Sequence, residues 1–130
     1  MRELKFRAWD KKTKNMVPVD EIRFSLGGQI KGIKWVVNEV ESRIVLAEEM
    51  IIMLGTGLKD RVGKEIYEGD IVEGTHGIKA VVEWTQEFGR WSMRWSDGST
   101  TPISWHVKHA IVIGNIHEGG LSDAGLPENF

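Results

Sequence analysis

The longest uninterrupted apolar run in this chain is five residues, "MIIML" at positions 50–54. Apolar side chains otherwise come in short, often alternating groups, separated by glycine or by small polar clusters. Such spacing gives a helix little room to build a buried stripe, whereas strands of four to eight residues need no more than this. The 15 glycines against three prolines add turn capacity without adding breakers, and six tryptophans provide large anchors for a β core. The expectation is a mainly β fold.

Individual segments carry that expectation. In "ELKFRAWDKKTKNMVPV", Leu4, Phe6 and Ala8 alternate with Lys5, Arg7 and Trp9, and the pattern breaks at Asp10 and resumes at Met16, as in a hairpin around a lysine-rich turn. The Gly27-Gly28 pair in "IRFSLGGQIKGIKWVV" marks a second hairpin. Residues 38–54 admit two readings, because Val40, Ile44, Ala47, Ile51 and Leu54 also stand at helical spacing. The density of β-branched residues favours strands there, with "ESR" at 41–43 as the turn between them. "IKAVVEW" and "RWSMRWSDG" make a third hairpin around "TQEFG", with Val82 and Trp84 facing Trp91, Met93 and Trp95. "SWHVKHA" suits one short helical turn capped by Ser104, leading into a strand "IVIGNI". The ending "HEGGLSDAGLPENF" has little to pack and is expected to be flexible.

Composition narrows the function classes. A chain of 130 residues can bury a core of its own, and without cysteine it has no disulfide or thiolate metal site. Nineteen carboxylates against 17 Lys plus Arg leave no overall positive field to attract nucleic acid or an anionic membrane. No apolar stretch approaches the length of a membrane helix and the N-terminus has no signal-peptide pattern, so a soluble, intracellular protein that avoids membranes is expected.

The stretch "GTGLKDRVGKEIYEGDIVEG" at 55–74 is the sharpest candidate for chemistry. Read as a phosphate loop it fails: five residues rather than four separate Gly57 from Gly63, Glu65 stands where the hydroxyl should follow Lys64, and a strand rather than a helix is expected next. Read as a cation site it gathers Asp60, Glu65, Glu68 and Asp70, but without the alternate spacing of a calcium loop. A scaffold reading accounts for more of it. Gly57, Asp60, Gly63, Gly69 and Asp70 are turn residues, Gly63 takes a left-handed conformation, and "EGD" turns the chain into the strand "IVEG". His106 and His109 are spaced to share a ligand on a helix and to diverge on a strand, and no cysteine supplements them. With no nucleophile motif either, the expectation is a non-enzyme with no catalytic residue, metal or cofactor.

Three blocks, "FRAWDKKTKNMV", "GLKDRVGKEIYEGDIV" and "VIGNIHE", resemble in order the signature blocks of the YopX family of bacteriophage and prophage proteins, spanning about Arg2 to Glu118. The resemblance implies one YopX-like domain over 1–118, with an N-terminal β-hairpin subdomain at 1–54 and an SH3-like β-roll or barrel at 55–118, followed by a flexible tail at 119–130. It also implies self-association and a setting in the cytoplasm of a bacterial host, and it brings no recognised activity or catalytic residue. The ending "GNIHEGGLSD" departs from the commoner family pattern, a Tyr after "GNI" and an Asn-Pro soon after.

Two binding roles follow as expectations. The first is a phage accessory protein acting through protein interaction, as a homo-oligomer or with phage or host proteins, because large aromatics and methionine are enriched at interfaces and open strand edges pair between subunits. The alternative is nucleic-acid binding by a small barrel that combines basic groups with stacking aromatics. Its candidate surface is Arg90, Trp91, Arg94 and Trp95, with the basic N-terminal group Arg2, Lys5, Arg7, Lys11, Lys12 and Lys14. Trp91 and Trp95 also share a strand face with Met93, as core residues would.

Overall fold

A computed structural model of the chain describes residues 3–38 and 41–118. Arg2 and the tail at 119–130, with the flexibility expected of it, lie outside the described residues. The fold is mainly β. Its helical elements, among the described residues, are 3-10 turns of three residues each. The described chain divides into two compact units, Lys5–Leu54 and residues 55–118, with Glu3 and Leu4 going with the latter.

In the first unit, β1 (Phe6–Asp10) and β2 (Asn15–Pro18) form the N-terminal hairpin, with Ala8 opposite Val17 and Trp9 opposite Met16. Asp10 is why the chain turns there. One carboxylate oxygen accepts from the Lys12 and Thr13 amides at 3.0 and 3.4 Å, the other from the Thr13 hydroxyl at 2.8 Å, and Lys14 completes the turn at φ 58°. The second edge of β1 pairs with the first half of β6 (Met50–Lys59), Phe6 opposite Leu54 and Asp10 opposite Met50.

β3 (Glu21–Phe24), β4 (Ile30–Asn38) and β5 (Glu41–Leu46) make a separate three-stranded antiparallel sheet, the hairpin of β3 and β4 falling on the glycine pair. The period of two decides which side is core: Ile33 and Trp35 of β4 are buried with Ala8 and Met50, and Ile22 and Val45 pack beside them. Residues 41–43, expected as a turn, are instead the start of β5. Arg43 lies opposite Trp35 and Ser42 opposite Val36, and the ladder hydrogen bonds of that pairing outweigh the turn preference of a lone serine between charges.

In the second unit, the rest of β6 pairs with β7 (Glu65–Tyr67), Gly55 opposite Tyr67 and Lys59 opposite Glu65. β8 (Asp70–Glu73), β9 (Lys79–Thr85), β10 (Arg90–Trp95) and β11 (Thr100–Pro102) follow as a meander, and β12 (Ile111–Asn115) returns to the free side of β8, giving the order β11-β10-β9-β8-β12. Its core is Ile66, Val72, Ala80, Val82, Met93, Ile103 and Ala110. The register of β9 and β10 sets Met93 against Val82 and Trp91 against Trp84, the pairing expected from alternation. Between β11 and β12 run two successive 3-10 turns, Ile103–Trp105 and Val107–His109. Ser104 is inside the first of these, not at its cap, because Pro102 takes the capping position and makes no side-chain cap bond.

Candidate functional site

The 55–74 stretch is a tied turn. Asp60 directly follows β6 with its carboxylate buried, and three backbone amides converge on it: Val62 and Lys64 on one oxygen at 3.0 and 2.8 Å, and Val112 of β12 on the other at 3.0 Å. Burial pushes this carboxyl up, but the amides of Val112, Lys64 and Val62, with the Lys64 charge, outweigh it and hold the group below the usual carboxylate range. The main chain adds further ties, Arg61 donating to Ala110 at 2.9 Å and Asp60 to Lys64 at 2.8 Å. Gly63 has φ 88° with open space around its Cβ direction, so its backbone conformation alone calls for glycine.

The second half of the stretch is built alike. Asp70, fully buried, accepts from the Tyr67 amide at 2.8 Å, and Gly69 at φ 86° donates to Val82 and accepts from Ile116. Gly57 also has positive φ, 83°. Among the described residues no three His, Asp or Glu side chains converge as a metal site would require.

Alternation separates the residues of "RWSMRW". Trp91 and Trp95 pack with Met93 against the core, while Arg90, Ser92 and Arg94 occupy the other side of β10. Arg94 donates to Glu83 at 3.0 Å, across β9. Arg90 donates to Ser92 at 3.1 Å and lies over the Phe88 ring at 4.5 Å. Trp84, which is exposed, meets Trp91 edge to face at 5.4 Å. The N-terminal basic residues from Lys5 to Lys14 belong to the other unit: Lys5 and Arg7 are half-buried, Lys12 and Lys14 are exposed, and Lys11 donates to the Glu48 carbonyl at 3.2 Å.

Two features were not legible as sites in the sequence. The first is the outer face of the β3-β4-β5 sheet. Val36, Ile44 and Leu46 are all more than half exposed there, and Gly32 leaves a hollow of about 330 Å³ between Arg23, Lys31 and Leu46. A Cβ at Gly32 would stand 3.0 Å from the Val45 carbonyl oxygen. Alternation in β4 and β5 carries the signal, since Val36, Ile44 and Leu46 fall out of phase with Ile33, Trp35 and Val45. The second is a cavity of about 240 Å³ in the second unit, lined by residues of 72–78, 93–95 and 106–110. Its parts are too far apart in sequence to be joined by any motif.

Known structures share this arrangement of strands. Protein EF1440 from Enterococcus faecalis superposes with a TM-score of 0.66 at 26% identity, covering 91% of this chain and 96% of its own. Protein yopX from Bacillus subtilis superposes with a TM-score of 0.56 at 24% identity, covering 90% of this chain and 94% of its own, and this likeness is one of fold. No curated protein matches the chain. The YopX protein family matches from residue 5 to residue 120, through both units, and the chain therefore belongs to the YopX family.

Proposed function

We propose that this YopX-family protein is a non-enzymatic accessory protein of phage or prophage that acts in the host cytoplasm by binding protein, in the first place a second copy of itself. The observation that carries this reading is the outer face of the β3-β4-β5 sheet. Scattered exposed apolar residues are ordinary, but Val36 of β4 and Ile44 and Leu46 of β5 lie on adjoining strands, and contiguous patches of this kind mark association surfaces. Glu21 and Arg23 are on one side of β3, where Glu21 already pairs with Lys34 at 3.3 Å, so the face sets no uncompensated carboxylate against a second copy. Strand β5 is also an edge of its sheet, which offers backbone groups to a partner. The non-enzymatic part rests on Asp60 and Asp70, the carboxylates of the most motif-like stretch, which serve as acceptors for backbone amides.

Sedimentation velocity over a range of concentrations tests it. The wild-type chain is expected to associate, and Leu46→Glu, at a site 56% exposed, is expected to leave it monomeric with a change in stability within about 0.5 kcal/mol. A wild-type chain that stays monomeric up to high concentration overturns the reading.

Nucleic-acid binding is the second reading, favoured by the exposed rings of Trp84 and Phe88 beside Arg90 at the tip of the β9–β10 hairpin.

A further inference from the structure

A sheet that ends in an open strand invites another strand, and most edges of this fold are closed to one. β2 and β11 end in Pro18 and Pro102, and β7 has three residues. β3 is four residues long, carries Glu21 and Arg23, and is bulged before Phe24. β12 has a bulge between Val112 and Gly114, and groups at its start are already taken, the Val112 amide by Asp60 and the Ala110 carbonyl by the Arg61 amide. Among the described residues β5 differs from all of these. It has six residues, no proline and a regular register from Ser42 to Leu46, and it pairs with β4 alone.

The direction of its main-chain groups follows from Gly32. A Cβ on Gly32 would stand 3.0 Å from the Val45 carbonyl oxygen and 3.9 Å from its carbon, so that carbonyl points at β4. In an antiparallel pair a residue sends its N–H and C=O to the same side, and the next residue sends them to the other. Val45 and Arg43 therefore spend theirs on Ile33 and Trp35, while Ser42, Ile44 and Leu46 aim theirs at the open edge. Outside the strand ladders, neither Ile44 nor Leu46 has a main-chain hydrogen bond among the described residues. The same two residues carry side chains more than half exposed on the outer side of the sheet.

Granted that the chain associates with itself, as its proposed function requires, we propose that β5 pairs antiparallel with β5 of a second copy about a two-fold axis at Ile44, making one continuous sheet through both. Such an axis, perpendicular to the sheet, keeps outer residues opposite outer residues, so it passes through a residue and not between two. At Arg43 it would set two like charges directly opposite, which is destabilising. At Val45 it would leave Ser42 to meet Glu48, beyond the end of the strand. At Ile44 it sets Ile44 against Ile44, Ser42 against Leu46 and Arg43 against Val45. Every open N–H and C=O of residues 42, 44 and 46 then finds a partner. Val36, Ile44 and Leu46 of the two copies join in one apolar strip across the seam.

Amide hydrogen exchange of the full chain, followed by NMR at several concentrations alongside sedimentation velocity, tests this. Where nine-tenths of the chain is associated, exchange at Ser42, Ile44 and Leu46 is expected to slow about tenfold, and the amides of Arg43 and Val45, bonded within each copy, to change less. Ile44→Pro removes the central open N–H and leaves the β4 bonds of Arg43 and Val45 in place, since an edge strand tolerates proline where its N–H faces outward. It is expected to raise the dissociation constant at least about tenfold while the β circular dichroism is retained. Should that variant fold poorly, the alternating exchange pattern of the wild-type chain decides. Association without concentration-dependent protection at Ile44 and Leu46 overturns edge pairing and leaves self-association standing, as does an Ile44→Pro chain that folds and associates like the wild type. A wild-type chain that stays monomeric overturns both.

Discussion

Asp60 joins distant parts of the second unit, because one carboxylate ties its own turn and the start of β12, fifty-two residues away. In Asp60→Asn one oxygen can still serve Val62 and Lys64, but an amide NH2 then faces the Val112 N–H, donor against donor. The expected loss at neutral pH is about 2–3 kcal/mol, measured by urea unfolding. The native carboxyl is held below its usual value, so its contribution is fully present above the unfolded value of about 3.9 and is lost as pH falls through the lower folded value. Wild-type stability should therefore decline below about pH 4, and the part of that decline owed to Asp60 should be missing in the Asn variant. Gly63 makes a different demand. With open space where a side chain would go, Gly63→Val suffers only from its φ of 88°, an expected loss of about 1–2 kcal/mol, and an unchanged unfolding midpoint would contradict that geometry. Both roles were legible as turn chemistry in the sequence; the amide of Val112 was not, since only the return of β12 brings it there.

At the scale of elements, the β9–β10 hairpin shows how one alternation serves two purposes. Trp91 packs on the core and also meets the exposed Trp84 directly opposite, so the pair should contribute beyond its burial. Trp84→Ala is expected to lose about 1 kcal/mol and Trp91→Ala about 2–4, with a coupling of about 1 kcal/mol in the double-mutant cycle. A coupling near zero would mean that the rings do not interact in solution. The hairpin was readable because each apolar position had a partner of matching phase. The start of β5 was not, because Glu41-Ser42-Arg43 has the composition of a turn and becomes a strand only through its neighbour β4. Ser104 illustrates the same override, a capping residue by type that the preceding Pro102 leaves inside the turn.

For the whole molecule, charge sets the balance between the two binding readings. Carboxylates exceed Lys plus Arg by two, Arg94 is paired with Glu83, and the basic residues from Lys5 to Lys14 belong to a different unit from Arg90 and Arg94. Fluorescence anisotropy with labelled single-stranded DNA at two salt concentrations is expected to give binding weaker than roughly 10⁻⁴ M, outside the ordinary range for non-specific binders. Micromolar binding that falls with salt would move the Arg90, Phe88 and Trp84 hairpin tip to the front instead. No helix among the described residues is long and apolar enough to cross a membrane.

The β class, three hairpins, the left-handed glycine at position 63 and the family were determined by the sequence itself, since each rests on alternation, on turn chemistry or on a local block of residues. Tertiary structure alone decided the rest. A strand's period of two says which residues share a side but not which side is covered, so the exposure of Val36, Ile44 and Leu46 emerged only when Ile33, Trp35 and Val45 met the core. The cavity likewise needed three distant segments in one place, and His106 could show a buried nitrogen without a partner only after they had closed around it.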